Sequence, residues 1–473
     1  MGIETFATGD SITGLLVDGA ELTPYTGATL KMEPARGVIV EIPFIENDSS
    51  GQFNHVSDWF MTQSPPANMY LLTPDGNIGL FGNRWKGHAV QNSVTLGKVM
   101  PRETVLGPCE ASLNETLVLN EVCSQIDGLQ AWTQMKSLKH VPHIDSNNLV
   151  QDLDVKATTV KSEAWTQGEA TLYFHTSWKT AHAAEGFEGG LSINDETILV
   201  SAFPDERPFP DHLAEHRKVV SLLTLLSGGP IQFRGHQVSA QSIVLRTLSG
   251  EIYARSPRVP LISAYTVREL EMQKPSISDL NWMLADFDSV GTSGLERWAA
   301  AFEKWKKFIL PSVGVLGRRQ PYIEDVITTL SFSIEAAGQI IGVRPEEEQT
   351  YYRGRPTTST YVFRCLEVLG VDWGALAPDL CALAQAISKV YNGIKHFNSG
   401  DFPDPDVQHV ISVVLRYTVR LLALYIMDES GKLLTIYRGK RSLLRAHNIF
   451  EQSEVRFDAQ GNPMPIPMNP TPR

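Results

Sequence analysis

The sequence predicts a multi-domain α+β protein in which a β-rich N-terminal region precedes an all-helical C-terminal bundle. Short β-branched or alternating runs separated by turn residues occupy the first part. From about residue 276, helix-length segments with a 3.6-residue apolar period take over. The 473 residues suffice for two or three domains, and 42% hydrophobic with 20% charged residues is the balance of a folded chain.

Residues 1–145 have the pattern of a β-sandwich or open barrel, because short strands and turns follow one another closely. The predicted strands have the sequences SITGLLV, GVIVEIPF, NMYLLT, NIGLFG and ETLVLNEV. Turn signals such as Asp75-Gly76 and Gly82-Asn83 separate them. Residues 146–275 form a mixed α/β segment, with strands ATLYFHTSW and ETILVSAF, a helix over residues 211–226, and a hairpin in SIVLRTLSGEIYA. We therefore expect residues 1–275 to form one N-terminal region.

Residues 276–473 predict a helical bundle with no intervening strand. The most apolar segment, residues 407–427, is interrupted by His409, Arg416 and Arg420, which a bilayer would penalise. We expect it to be a buried core helix, with no membrane as a partner. The proline-rich tail, residues 462–473, is expected to be disordered or extended.

Composition excludes several functions. A net charge of -12 is unsuitable for bulk electrostatic binding of nucleic acid, so RNA would need a local basic patch. The four scattered cysteines contain no C-x-x-C pair, and the N-terminus lacks the features of a signal peptide. Both observations predict a cytoplasmic protein. No phosphate-binding or dinucleotide-binding glycine motif occurs, so no cofactor is expected.

The predicted helix over residues 380–396 carries the most suggestive chemistry. At 100° per residue its apolar side chains form one stripe: Leu380, Leu383, Ile387, Tyr391 and Ile394. Its polar side chains fall on the opposite side: Gln385, Lys389, Asn392 and His396. A histidine moves protons near neutral pH, and a cation stabilises charge on a phosphate. This pattern also fits the ordinary polar face of a surface helix, which remains the alternative.

The segment Asn392-Gly393-Ile394-Lys395-His396 resembles the Asn-x-x-x-His half of the HEPN signature, in which an arginine usually stands four to six residues before the histidine. Preceding helices carry the sequences IEAA and YVFRCL, and a proline-broken loop follows. This arrangement is similar to the ApeA-like HEPN proteins of bacterial anti-phage defence. The N-terminal segments ITGLL, GLQAW and LLSGG resemble the ApeA N-terminal domain, so the likeness extends over nearly the whole chain.

The resemblance implies an active site at His396 as general acid/base, Asn392 as phosphate or hydroxyl binder, and Lys389 in the place of the arginine. It also implies a homodimer. Residues expected to bind substrate are Lys395, Arg364, Arg438, Lys440 and Arg441. The departure is Tyr391, which stands directly before Asn392 where an arginine is usual. Either Lys389 replaces the arginine, or the site is weakened.

The predicted function is that of an abortive-infection effector: a metal-independent endoribonuclease that cuts tRNA or another RNA through its 2′-hydroxyl. The N-terminal region would control it and respond to a phage-derived trigger. The alternative is a catalytically weak HEPN module for dimerisation or RNA binding. A basic cluster at Arg438, Lys440, Arg441 and Arg445 either guides RNA or is a solvated helix face.

A second motif, His212-x-x-Glu215-His216, fits the H-x-x-E-H pattern of inverted zinc peptidases. Two histidines four residues apart share a helix face and can hold zinc. The ordinary reading is a solvated helix start, so a zinc peptidase is only a distant alternative.

Overall fold

The computed structural model describes residues 6–19, 26–46, 49–183, 190–247, 249–281, 283–396, 402–428, 430–439 and 443–464. Contacts divide the chain into two compact units. The β unit comprises residues 1–130, 135–216 and 232–274, and the helical unit comprises residues 131–134, 217–231 and 275–473. A β-rich N-terminal region followed by a helical region confirms the predicted fold class.

The β unit is built on one large antiparallel sheet. Among the residues that the structure describes, the strands of this unit are β1 Ser11–Val17, β2 Thr26–Glu33, β3 Gly37–Phe44, β4 Asn68–Thr73, β5 Gly76–Phe81, β6 Arg84–Gln91, β7 Val94–Met100, β8 Glu103–Leu106, β9 Leu119–Ile126, β10 Leu138–Ile144, β11 Val150–Ala157, β12 Trp165–Gln167, β13 Ala170–Ala183, β14 Gly190–Arg207, β15 Phe233–Ser239, β16 Val244–Arg246, β17 Ile252–Arg255 and β18 Val259–Ser263. Fourteen of these form the order β12-β13-β14-β9-β15-β18-β8-β5-β4-β1-β2-β3-β7-β6. Strands β10–β11 and β16–β17 form two separate hairpins, the second as predicted.

The large sheet contains strands from both predicted parts of the N-terminal region, residues 1–145 and residues 146–275. Strands β15 and β18 lie between β9 and β8, with His236 opposite Leu261 and Leu261 opposite Val105. The mixed segment 146–275 is therefore not an independent layer, because its strands extend the sheet begun by residues 11–126. Sequence periodicity could not reveal this, since it carries no information about which strands pair.

The short helix α1, Asn54–Met61, covers the core of the first strands. Phe60 stacks on Phe44 with ring centroids 5.2 Å apart. A Cβ at Gly97 of β7 would lie 2.1 Å from the Phe60 ring, so only glycine allows this approach. Buried side chains such as Leu30 and Val40, which pair across β2 and β3, complete this core.

The helical unit is a bundle around one buried helix. Its helices are α5 Ile277–Leu280, α6 Phe287–Leu316, α7 Ile323–Ile341, α8 Thr358–Leu369, α9 Leu380–Lys395, α10 Pro405–Met427, α11 Lys432–Tyr437 and α12 Leu444–Ser453. The part of α3 Phe209–Ser227 from residue 217 onward also belongs to this unit. Two short helices occur earlier in the chain, α2 Leu129–Thr133 and α4 Val267–Leu270. Helix α10 packs on α6, α7, α8, α9, α11 and α12. It is long and apolar enough to cross a membrane, but 89% of its apolar window is buried inside the protein, as predicted for a core helix.

A buried ion pair fixes the segment between α7 and α8. Arg364 of α8 donates from Nε to Glu347 Oε2 at 2.6 Å and from Nη2 to Glu347 Oε1 at 2.8 Å. Tyr351 and the backbone N–H of Arg344 donate to the same carboxylate at 2.7 and 2.8 Å. The Arg364 hydrogen bonds are the main reason that the pKa of Glu347 falls to about 2. The pair anchors the 3₁₀ turn Glu347–Thr350, which packs on α8 and α9.

We predict that Glu347→Gln destabilises the helical unit by about 3–5 kcal/mol, because it leaves the buried Arg364 charge without a counter-ion. The measurement is hydrogen exchange of the α8 and α9 amides. The matched control is Asp325→Asn, which breaks the exposed Arg318–Asp325 pair at 3.2 Å and should cost at most about 1 kcal/mol. Equal effects of the two substitutions would contradict the structural role assigned to the buried pair.

Candidate functional site

Helix α9 is buried along most of its length. Asp379 caps its N-terminus, because its carboxylate accepts a hydrogen bond from the Ala382 N–H at 2.7 Å. The buried residues are Cys381, Ala382, Leu383, Ala384, Ala386, Ile387, Ser388, Val390 and Tyr391. The accessible strip comprises Gln385, Lys389 and the last turn from Asn392 to His396. The polar residues that periodicity placed on one ridge are therefore accessible, but they occupy a narrow opening in a core helix rather than the face of a surface helix.

His396 lies one residue beyond the helix, which ends at Lys395. Its backbone is extended, with φ −114° and ψ 111°, and its N–H donates to the Asn392 carbonyl at 2.9 Å. The angular alignment expected from an ideal helix consequently extends to Asn392 but not to His396. This hydrogen bond holds the His396 backbone, not its imidazole, to the helix end, and the residue is exposed at the start of the connection to α10.

Two segments that pack on α9 make hydrogen bonds to Gln385 and Lys389, the first two residues of the strip. Gln385 Nε2 donates to the Gln349 carbonyl of the 3₁₀ turn at 3.3 Å. Lys389 Nζ donates to Asn462 Oδ1 at 2.5 Å. Sequence reasoning missed Asn462, since it fell in the tail expected to be disordered or extended. Residues 462–464 instead belong to a hairpin, in which Phe457 pairs with Pro463, and residues 465–473 lie outside the described part of the chain.

The burial of Tyr391 determines which cations are accessible on the strip. Its side chain is buried, so the position directly before Asn392 points into the bundle. Lys395 Nζ donates to the Tyr391 hydroxyl at 3.0 Å, and this bond is the main reason that the pKa of Lys395 is raised. An arginine at position 391 would have to be buried too. Lys389 is the cation on the strip itself, and Lys395 is a second exposed cation at its end.

Of the other expected substrate-binding residues, the two that the structure describes, Arg364 and Arg438, have contacts elsewhere in the bundle. Arg364 is buried in its ion pair with Glu347, so the expectation that it contacts RNA is not supported. Arg438 lies beside Gly370 at the end of α8, where its Nη1 would be 2.8 Å from an added Cβ. Lys440 and Arg441 lie outside the described residues. Trp298 and Trp305 of α6 are buried.

The H-x-x-E-H motif lies in the β unit and is buried. His212 Nδ1 is 2.8 Å from Ser201 Oγ, and His216 Nδ1 is 2.7 Å from Ser124 Oγ. Ser124 Oγ also contacts His236 Nδ1 at 2.8 Å. The solvated helix start is therefore the wrong interpretation of this motif, because the helix presents both histidines to serines of the sheet.

The same contacts argue against the zinc reading. The Nδ1 atoms of the two histidines bond different serines, and Glu215 accepts a hydrogen bond from Gln167 at 2.9 Å. Among the residues that the structure describes, no group of three or more His, Cys, Asp or Glu has the geometry of a metal site. Burial lowers the pKa of His212 to about 4 and that of His216 well below its ordinary value, so both rings are neutral at pH 7.

Comparison with known proteins supports the N-terminal part of the resemblance. Residues 24–246 match the family model described as ApeA N-terminal domain 1. The match makes the chain ApeA-like over this segment, which covers most of the large sheet and helix α3. No curated protein and no solved structure gives a significant match. The HEPN assignment of the helical unit stays a prediction.

We predict that the β unit loses stability as the pH falls from about 6.5 to 4. The unfolded chain binds a proton at His212 near pH 6.5, whereas the folded chain binds it only near pH 4, so acid favours unfolding. For His212 alone the difference is about 3 kcal/mol at pH 4. Hydrogen exchange of the β9 and α3 amides across this pH range measures it.

The control for this pH dependence is His143→Gln, which removes an exposed histidine of β10 and should leave the acid response unchanged. His212→Asn should lower stability at pH 7 but flatten the pH dependence. An acid response that is the same in His212→Asn and in the unmodified protein would contradict a buried neutral histidine.

Proposed function

We propose that this chain is an effector of anti-phage defence whose helical unit is a metal-independent HEPN-type endoribonuclease. The observation that carries the proposal is the accessible strip on α9. An otherwise buried helix opens to solvent where Lys389, Asn392 and His396 lie, so a cation, an amide and an imidazole are accessible together at its C-terminal end. The match of residues 24–246 to ApeA N-terminal domain 1 supports the defence role.

The proposed reaction uses the nucleophile that RNA already carries. His396 accepts the proton of a 2′-hydroxyl, whose oxygen attacks the adjacent phosphorus. The bond from phosphorus to the 5′-oxygen breaks, and a proton is returned to that departing oxygen. The products are a 2′,3′-cyclic phosphate and a 5′-hydroxyl. Lys389 stabilises the charge on the phosphate, and Asn392 hydrogen-bonds a phosphate or hydroxyl oxygen. No metal is required for any of these steps.

The proposed assembly is a homodimer in which two α9 helices meet, so that each site is completed by both chains. The substrate is tRNA or another cellular or phage RNA in the cytoplasm. Local cations must recruit it, because the chain has a net charge of -12. Lys395, at the end of the strip, and Arg438 remain the described candidates for this role.

Control by the N-terminal region is also a proposal, with a phage-derived trigger as its partner. In the β unit, hairpin β10–β11 exposes apolar side chains at Val141, Ile144, Leu149 and Leu153. Solvent-exposed apolar side chains of this kind are typical of interaction surfaces. Any test must use the full chain. A fragment from residue 276 would lack the Lys218 and Leu226 carbonyls that accept hydrogen bonds from Trp298 and Arg420.

The second candidate is a catalytically weak HEPN module that serves dimerisation or RNA binding. The burial of Tyr391 favours it, because the position where an arginine is usual cannot supply a cation to the strip. The zinc peptidase reading has no support from the geometry of His212 and His216.

We predict that purified full-length protein cleaves RNA in EDTA and that His396→Ala reduces the rate at least 100-fold, in the range expected for a general acid/base. The matched control is His409→Ala, which removes an exposed histidine from α10 and should leave the rate unchanged. Undiminished cleavage by His396→Ala would refute the assignment of this residue.

Substitutions at Lys389 separate the two candidate functions. If the strip is an active site, Lys389→Ala reduces RNA cleavage by 10-fold or more, and Lys389→Arg retains or raises it because the charge is kept. The measurement is the initial cleavage rate at saturating RNA. If the unmodified chain and both variants bind RNA but none of them cuts it, the non-catalytic HEPN module is the correct interpretation.

A further inference from the structure

The C-terminal hairpin has a well-defined internal structure. Phe457 pairs with Pro463, and the Asp458 N–H donates to the Asn462 carbonyl at 2.9 Å. Asp458 Oδ1 accepts from the backbone N–H groups of Gln460 and Asn462 at 2.9 and 2.8 Å. Gly461 has φ +73°, the left-handed conformation that glycine adopts most readily. The turn is thus fixed by its own sequence.

The hairpin is docked tightly on α9. An added Cβ at Gly461 would lie 2.5 Å from the Ala386 nitrogen and 2.8 Å from the Ala382 carbonyl oxygen, so backbone lies directly on backbone. Two alanines one turn apart on α9 make this approach possible. Phe457 is buried, and its N–H donates to the Leu376 carbonyl at 2.9 Å. Asn462, next to Gly461, is therefore held at a fixed place beside Lys389.

The orientation of the Asn462 amide follows from its two neighbours. Its Nδ2 donates to Asp458 Oδ2 at 3.0 Å, and an ionised carboxylate can only accept. The Asn462 hydrogen bonds are the main reason that the pKa of Asp458 is lowered, with the charge of Lys389 contributing. The amide oxygen must then face Lys389, whose ammonium donates to it at 2.5 Å.

This contact leaves Lys389 able to bind an anion. The amide is neutral and accepts from one of the three N–H donors of the ammonium. The Asp458 carboxylate accepts its hydrogen bond from the Asn462 amide rather than from Lys389, although the charge of Lys389 contributes to lowering the Asp458 pKa. A lysine is a mobile point charge that loses rotamer freedom when it binds a phosphate, whereas a tethered lysine has already lost part of that freedom.

We infer that Asn462 is a positioning residue for Lys389 and that Asp458 orients the Asn462 amide, so that the C-terminal hairpin preorganises the phosphate-binding cation of the strip. The inference rests on the proposed function. It explains how a lysine can act as the phosphate-binding cation at a site where an arginine is usual. The guanidinium of arginine is rigid by itself, whereas Lys389 is held in place by the C-terminal hairpin.

The first experiment is a double-mutant cycle on the full-length protein with a labelled single-stranded RNA of mixed sequence. Asn462→Ala should lower kcat about 10-fold with little change in KM. In the Lys389→Ala background, the same substitution should have no further effect. Gln460→Ala, at the exposed tip of the hairpin, is the matched control and should retain the unmodified rate. A loss of rate that persists undiminished without Lys389 would show a merely structural role and overturn the inference.

The second experiment needs no RNA cleavage. The rate at which an amine-reactive reagent acylates Lys389 is measured by mass spectrometry, with exposed Lys307 as internal reference. Asn462→Ala should raise the Lys389 rate several-fold relative to Lys307, and Gln460→Ala should not. Equal acylation rates of Lys389 in Asn462→Ala and in the unmodified chain would contradict the inference that Asn462 holds Lys389. If the unmodified chain cuts no RNA, the proposed function fails, while this measurement still decides whether the hairpin holds Lys389.

Discussion

The buried pair between Arg364 and Glu347 is the constraint on which the candidate site depends. A carboxylate with no exposed surface accepts hydrogen bonds from Arg364, Tyr351 and the Arg344 backbone. It thereby fixes the 3₁₀ turn Glu347–Thr350 to α8, and that turn contacts α9 through Gln385. Because a buried charge is tolerated only when its partner stays in place, the turn has little freedom to move. One edge of the accessible strip is defined in this way, and the C-terminal hairpin defines the other.

The consequence is a division of roles along α9. Most of the helix belongs to the core, while Gln385 and Lys389 are held by segments before and after it in the chain. Lys389 meets Asn462, and His396 lies just past the last helical residue. Such an arrangement keeps polar groups in fixed positions without burying their charge, which a site acting on phosphates requires.

The sequence predicted those features that depend on local periodicity. Strands β1, β3, β4, β13 and β14, the helix α3 and the polar strip of α9 follow from patterns of two or 3.6 residues. It missed α1, which is too short to show a period, and β10, whose LKHVPHI includes a proline and charged groups. Burial of His212 and His216 could not be foreseen, because their partners Ser201 and Ser124 belong to other strands. Asn462 was missed for the same reason: its role arises from contact with a distant helix, although Asp458-x-x-Gly461 is a recognisable turn signal.

The most direct measurement of the central claim is the chemistry of the RNA ends. Full-length protein is incubated in EDTA with an RNA oligonucleotide and with the same oligonucleotide methylated at every 2′-oxygen, and the products are identified by mass spectrometry. If α9 directs the attack of the 2′-hydroxyl, the first RNA gives 2′,3′-cyclic phosphate and 5′-hydroxyl ends, and the methylated RNA stays intact. Cleavage of the methylated RNA, or products with 3′-hydroxyl and 5′-phosphate ends, would contradict the proposed mechanism.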